Sequence, residues 1–86
     1  MFAVGQVVFS KSGRDKGIAF IVVAEEGEYA YLVDGKLRTL DKPKKKKHKH
    51  IQVTYHVDDE LAGKLTNKQY LNDADFRKAL HAFNKK

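Results

Sequence analysis

Val4-Gly-Gln-Val-Val-Phe-Ser-Lys-Ser-Gly-Arg-Asp-Lys-Gly-Ile-Ala-Phe-Ile-Val-Val-Ala24 decides the fold. Val4 to Phe9 is a short run of β-branched and aromatic residues. A polar stretch, Ser10 to Gly17, separates it from the continuous apolar run Ile18 to Ala24. Both runs have strand length, and no helix cap precedes the second. Within it Phe20 and Val22 alternate with Ile21 and Val23, so both faces of this strand are covered. After the turn Glu25-Glu26-Gly27-Glu28 comes a third run, Tyr29 to Val33, closed by the hairpin signal Asp34-Gly35. Leu37 to Leu40 predicts a fourth short strand and Ile51 to Val53 a fifth. Five short strands joined by tight turns predict a small closed or half-open barrel, and closure removes exposed sheet edges. The expected core is Val7, Phe9, Phe20, Val22, Leu32 and Leu40.

The rest of the chain changes character. Residues 58–86 read as helical. Asp58-Asp59-Glu60 is an acidic helix start, and Leu61 and Leu65 lie one turn apart. Asn72 or Asp73 caps a second helix, in which Phe76, Ala79, Leu80 and Phe83 form one apolar stripe. Lys85 and Lys86 complement the C-terminal end of its dipole. A helix this short is marginal alone in water, so its stripe is expected to pack on the outside of the barrel.

Length and charge narrow the function classes. At 86 residues the chain allows a single domain and excludes the large catalytic frameworks. It has no cysteine, which excludes disulfides and thiolate zinc sites. No apolar run approaches the roughly 20 residues that span a bilayer. The first five residues do not resemble a signal peptide, so a soluble cytoplasmic protein is expected. The net charge is +6, yet residues 36–50 alone hold eight basic side chains and one acidic. Everything outside that segment is close to neutral. Such concentration points to a localised polyanion site.

The cations fall in two groups. Lys11, Arg14 and Lys16 lie on the loop between the first two strands, where Gly13 and Gly17 allow close backbone approach; an ordinary polar turn is the competing reading. Arg38, Lys42, Lys44, Lys45, Lys46, Lys47, His48 and Lys49 surround the segment 41–50. Mutual repulsion there argues against a regular element without a partner, and Pro43 removes a ladder donor. Engaging about four to six phosphates would give log K a slope of about −3 to −5 against log salt on single-stranded RNA. A solubilising loop or an import signal is the plainer reading. His48-x-His50 has strand spacing, but the adjacent lysines oppose a metal cation, so solvated or phosphate-facing imidazoles are expected. Tyr29, Tyr31 and Phe2 are of types that stack on unpaired bases, although in strands such residues more often pack. Ser10 and Ser12 have no base nearby, and the acidic triplet at 58–60 is explained by capping. No catalytic constellation, cofactor site or metal site is expected.

The run from Val4 to Gly17, followed by its apolar strand, resembles a KOW motif: strand, basic loop, glycine (here Gly17) and second strand. That motif occurs in ribosomal proteins and in NusG-type transcription elongation factors. Leu32-Val-Asp-Gly35 and Arg38 extend the similarity to a class of archaeal and eukaryotic large-subunit ribosomal proteins. The fuller match is to small bacterial KOW-domain RNA-binding proteins, in which Lys-Pro-Lys-Lys-Lys-Lys precedes a Lys-His pair and a helical tail. The similarity covers residues 4–52 and, more loosely, Asp73 to Phe83. It implies a mainly β chain with C-terminal α: an SH3-like five-stranded barrel over 2–54, then a helical segment over 58–84. It also implies a non-enzymatic RNA binder. The expected partner is RNA, ribosomal RNA first, with ribosomal proteins as further contacts. The free chain is expected to be a monomer. An SH3-like protein-interaction module and a non-specific DNA binder are the alternatives.

Overall fold

The computed structural model describes residues 2–84. The dipole contribution expected of Lys85 and Lys86 lies outside the described residues. Five strands form one antiparallel sheet: β1 (Gln6–Ser10), β2 (Ala19–Glu26), β3 (Tyr29–Val33), β4 (Lys44–Lys47) and β5 (Ile51–Val57). Their hydrogen-bonded order is β4-β3-β2-β1-β5. A single 3-10 turn, His48–His50, joins the two outermost strands. Helices α1 (Asp59–Thr66) and α2 (Asp73–Asn84) complete the chain. No helix among the described residues is long and apolar enough to cross a membrane.

The fourth strand is not where the apolar residues are. Leu37 to Leu40 forms no strand, and Leu37 is 72% exposed. The buried carboxylate of Asp34 explains this, because its Oδ1 accepts from the backbone N–H groups of Lys36 (2.9 Å) and Arg38 (2.8 Å) and curls the segment into a loop. The strand is instead the lysine run itself, pairing Ala30 with Lys46 and Leu32 with Lys44. Repulsion is relieved because strand pleating sends successive side chains to opposite faces. The histidines adopt a 3-10 turn rather than strand spacing, and β5 runs to Val57 instead of stopping near Val53.

Two cores lie on the two faces of the sheet. Phe2, Val8, Phe20, Val22, Ala30, Leu32 and Ile51 fill one. Val7, Ala19, Ile21 and Val33 fill the other with Leu61 of α1 and Phe76 and Leu80 of α2. The six residues expected to form one core are therefore divided. Phe20, Val22 and Leu32 belong to the first, whereas Val7, Phe9 and Leu40 face the helices, the last two only half-buried. The stripe on α2 packs on the sheet as its spacing demands.

Local signals set the helix ends. Asp58 caps α1, its Oδ1 accepting from Leu61 N–H at 3.0 Å. Asn72 and Asp75 accept reciprocally from each other's backbone N–H ahead of α2, a capping box with aspartate in place of glutamate. The far end of α2 is tied to β2 by Asn84, whose side chain accepts from Ala19 N–H and donates to its carbonyl. At the near end, Leu40 N–H donates to Asp73 Oδ1, and Arg77 donates to the Gly35 carbonyl at 2.7 Å.

Gly35 permits that contact. It sits at φ 82, and a Cβ there would overlap the Asp73 carbonyl oxygen and come within 2.9 Å of Arg77 Cγ. Gly35→Ala is expected to cost about 3 kcal/mol, combining left-handed strain with overpacking. For a chain of this size that lowers the melting temperature by roughly 10–20 °C. An unchanged melting curve by circular dichroism would show that α2 does not dock on this turn.

Candidate nucleic-acid interface

Alternation along β4 divides the lysine run. Lys44 and Lys46 share the face of Ala30 and Leu32, while Lys45 and Lys47 share the face of Tyr31 and Tyr29. The four lysines therefore belong to two surfaces.

On the first surface the loop after β1 is a built structure. Ser10 Oγ donates to Asp15 Oδ1 at 2.6 Å, Gly17 N–H to the Ser10 carbonyl at 2.8 Å, and Ile18 N–H to the Asp15 carbonyl at 3.0 Å. Lys46 reaches in from β4. Its Nζ donates to the Ser12 carbonyl (3.0 Å) and pairs with Asp15 Oδ1 (3.2 Å), with both side chains largely buried. Lys46, expected among the RNA contacts, is thus a tie between loop and sheet, its charge matched by Asp15.

The tie brings the two cationic groups together. Arg14 from the loop, Arg38 from the curled segment, and Lys44 and Lys46 from β4 surround one cleft of about 360 Å³. Asp15, Gly13, Phe20 and Leu37 complete its wall. Asp34 fixes Arg38 here through the bond to its backbone, reinforced by the Asp34 and Gly35 N–H groups donating to the Arg38 carbonyl. Leu37 also borders a neighbouring cleft of about 510 Å³, lined by Lys16, Ile18, Phe83 and Lys36. Lys36 was not among the expected contacts, although it begins the basic segment; its place became visible only once the 34–38 loop closed on α2.

The remaining candidates sit apart from the cleft. Lys42 and Lys49 are exposed. Lys11 is exposed beside the 3-10 turn, its N–H donating to the His50 carbonyl. His48 turns inward: its Nε2 lies 3.1 Å from Glu25 Oε1 without aligning for a hydrogen bond, and its ring meets Phe2 edge-on at 4.7 Å. Its nearest charge is a carboxylate that the sequence spacing could not reveal. No group of three or more metal-ligating side chains occurs among the described residues.

Burial of Asp15 raises its carboxyl pKa, but the Ser10 hydroxyl, the Lys46 ammonium and the charge of Lys44 outweigh it, so the net shift is below the ordinary 3.8. A lowered folded-state pKa means stability that is fully present above 3.8 and lost as pH falls through the lowered value. Asp15→Asn is therefore expected to melt well below the native protein at neutral pH. The gap should close once the pH has fallen below that lowered value, where both forms are neutral at this site. A gap that stayed constant down to that pH would remove the ion pair from the account.

On the second surface, Lys45 Nζ lies 4.6 Å from the ring centroid of Tyr29 and 5.9 Å from that of Tyr31, and Lys47 Nζ lies 5.9 Å from Tyr29. Tyr31 donates its hydroxyl to Glu26 Oε1 at 2.7 Å, which raises its pKa, and Glu26 lies 3.8 Å from Lys45 Nζ. Phe2 is buried in the first core and unavailable for stacking, whereas both tyrosines are partly exposed. Compared with protein-family models and with curated proteins, the chain matches none.

Proposed function

We propose that this chain is a non-enzymatic RNA-binding protein that holds phosphates of ribosomal or other structured RNA along one basic edge of an SH3-like barrel. The convergence of Arg14, Arg38 and Lys44 on one cleft carries the reading. They come from three separate segments, Arg14 lying far in sequence from the other two, and the buried Lys46–Asp15 pair supports the loop and strand that bear two of them. A concave cluster of fixed cations suits a phosphate backbone, with arginine able to grip oxygens bidentately and lysine acting as a point charge. Little base selectivity follows, because phosphate contacts position but do not specify. The barrel is supported by the strand order, by the 3-10 turn linking β4 to β5, and by an apolar core on the sheet face away from the helices. The test is binding of the full chain to a structured RNA at two salt concentrations, with duplex DNA as competitor. Affinity should fall with salt at about 0.7–0.9 log units per decade for each phosphate engaged. RNA should outcompete DNA. Binding that ignores salt, or that favours duplex DNA, contradicts the proposal.

A further inference from the structure

We propose that Tyr29 and Tyr31, with Lys45 and Lys47 beside them, form a platform for two unpaired bases of a single-stranded RNA segment, distinct from the phosphate cleft. The proposal rests on the RNA-binding reading and adds which part of an RNA this face takes. β3 presents Tyr29, Tyr31 and Val33 on one face. Val33 is fully buried in the core that Phe76 and Leu80 complete, and the two tyrosines continue the same face partly exposed. Packing therefore accounts for Val33 in full and for the tyrosines only in part.

Their surroundings fit an RNA strand. Residues two apart on a strand stand about 6.6 Å apart, enough for each ring to take its own base. Aromatic side chains on an open sheet face hold unpaired bases in this way. Across the ladder Lys45 is the partner of Tyr31 and Lys47 of Tyr29, so each ring has a cation next to it for the phosphate that accompanies its base. What lies over Tyr29 is the Lys45 ammonium rather than an apolar side chain. A phosphate that draws this ammonium outward leaves the ring face to a base. A duplex offers no such base, because its bases are already stacked on one another.

Glu26 opposes the same event. It holds the Tyr31 hydroxyl and lies within reach of Lys45, competing with phosphate for that cation. Glu26→Gln should therefore tighten single-stranded RNA several-fold.

The test compares an adenosine homopolymer of about ten nucleotides, a length in the range that one small domain covers, with an RNA duplex of similar length. Tyr29→Leu/Tyr31→Leu should weaken the single strand about tenfold or more, at the stacking strength typical of one base per ring, and leave the duplex nearly unchanged. Tyr29→Phe/Tyr31→Phe should retain both affinities. Equal losses on both probes, or no loss on the single strand, overturn the platform. A native protein that binds neither probe overturns the RNA reading with it. Should the leucine variant fold poorly, a second measurement decides. The chain has four tyrosines and no tryptophan, so Tyr55→Phe/Tyr70→Phe leaves Tyr29 and Tyr31 as the only strong emitters. Their emission should be quenched by the single strand and not by the duplex, and emission unmoved by the single strand counts against the proposal.

Discussion

Phe76→Ala is expected to cost about 3–5 kcal/mol, the usual range for truncating a fully buried phenylalanine. A chain of this length has roughly 4–13 kcal/mol of stability in all, so the loss is a large fraction of the total. Phe76 is fully buried with Val7, Ile21, Val33 and Leu80, and the helices supply Leu61, Phe76 and Leu80, the buried residues of its outer half. Removing everything after Val53 would uncover Val7, Ile21 and Val33 together and also delete the end of β5. The stretch 2–54 is therefore not expected to persist by itself. Chemical denaturation followed by circular dichroism checks both variants, and native-like stability in either would show that α2 is not part of the core.

The second large effect concerns a lysine whose role its sequence context hides. Lys46→Met strands the Asp15 carboxylate in a largely buried site and cuts the loop from β4. The expected cost is about 3 kcal/mol, typical of removing one partner from a buried ion pair. Replacing both partners, Asp15→Asn/Lys46→Met, should recover much of that loss, because no unpaired charge remains. The double variant also leaves the net charge of the cleft unchanged, so its RNA affinity should stay close to that of the native protein. Denaturation midpoints of the two single variants and the double variant supply the cycle. Additive losses would show that the pair does not act as a unit.

The strands built on apolar alternation were legible. β1, β2 and β3 follow from the runs at 4–9, 18–24 and 29–33, and α2 follows from the spacing of Phe76, Leu80 and Phe83. The edge of the sheet was not legible. Leu37 to Leu40 has strand composition, but one buried carboxylate at Asp34 satisfies its backbone locally and curls it away. Lys44 to Lys47 has the composition of a solvated loop, yet it closes the ladder on β3 because Asp15, thirty-one positions away, neutralises the one lysine that must be buried. Both outcomes depend on contacts distant in sequence, which local composition does not carry.

The candidate site was legible as charge and not as geometry. The concentration of cations at 36–50 and at 11–16 marks where a polyanion would be held. It does not separate Lys44, which lines the cleft, from Lys45, which lies over Tyr29, or from Lys46, which is paired. That division follows from strand pleating, and only once β4 is known to be a strand. His48 illustrates the same limit, since Glu25 lies on β2 and meets it only in the fold.

A charge-matched comparison decides whether Arg14, Arg38 and Lys44 together hold RNA phosphates, as proposed. One variant carries Arg14→Ala, Arg38→Ala and Lys44→Ala, and the other removes as many charges from the helical segment through Lys64→Ala, Lys68→Ala and Lys78→Ala. Structured-RNA affinity is measured for both and for the native protein across a salt series. The cleft variant should lose about two to three units from the slope of log K against log salt, with affinity falling steeply, whereas the helix variant should stay near the native values. Equal losses in the two variants would mean that RNA responds to net charge alone, and that outcome would contradict the site.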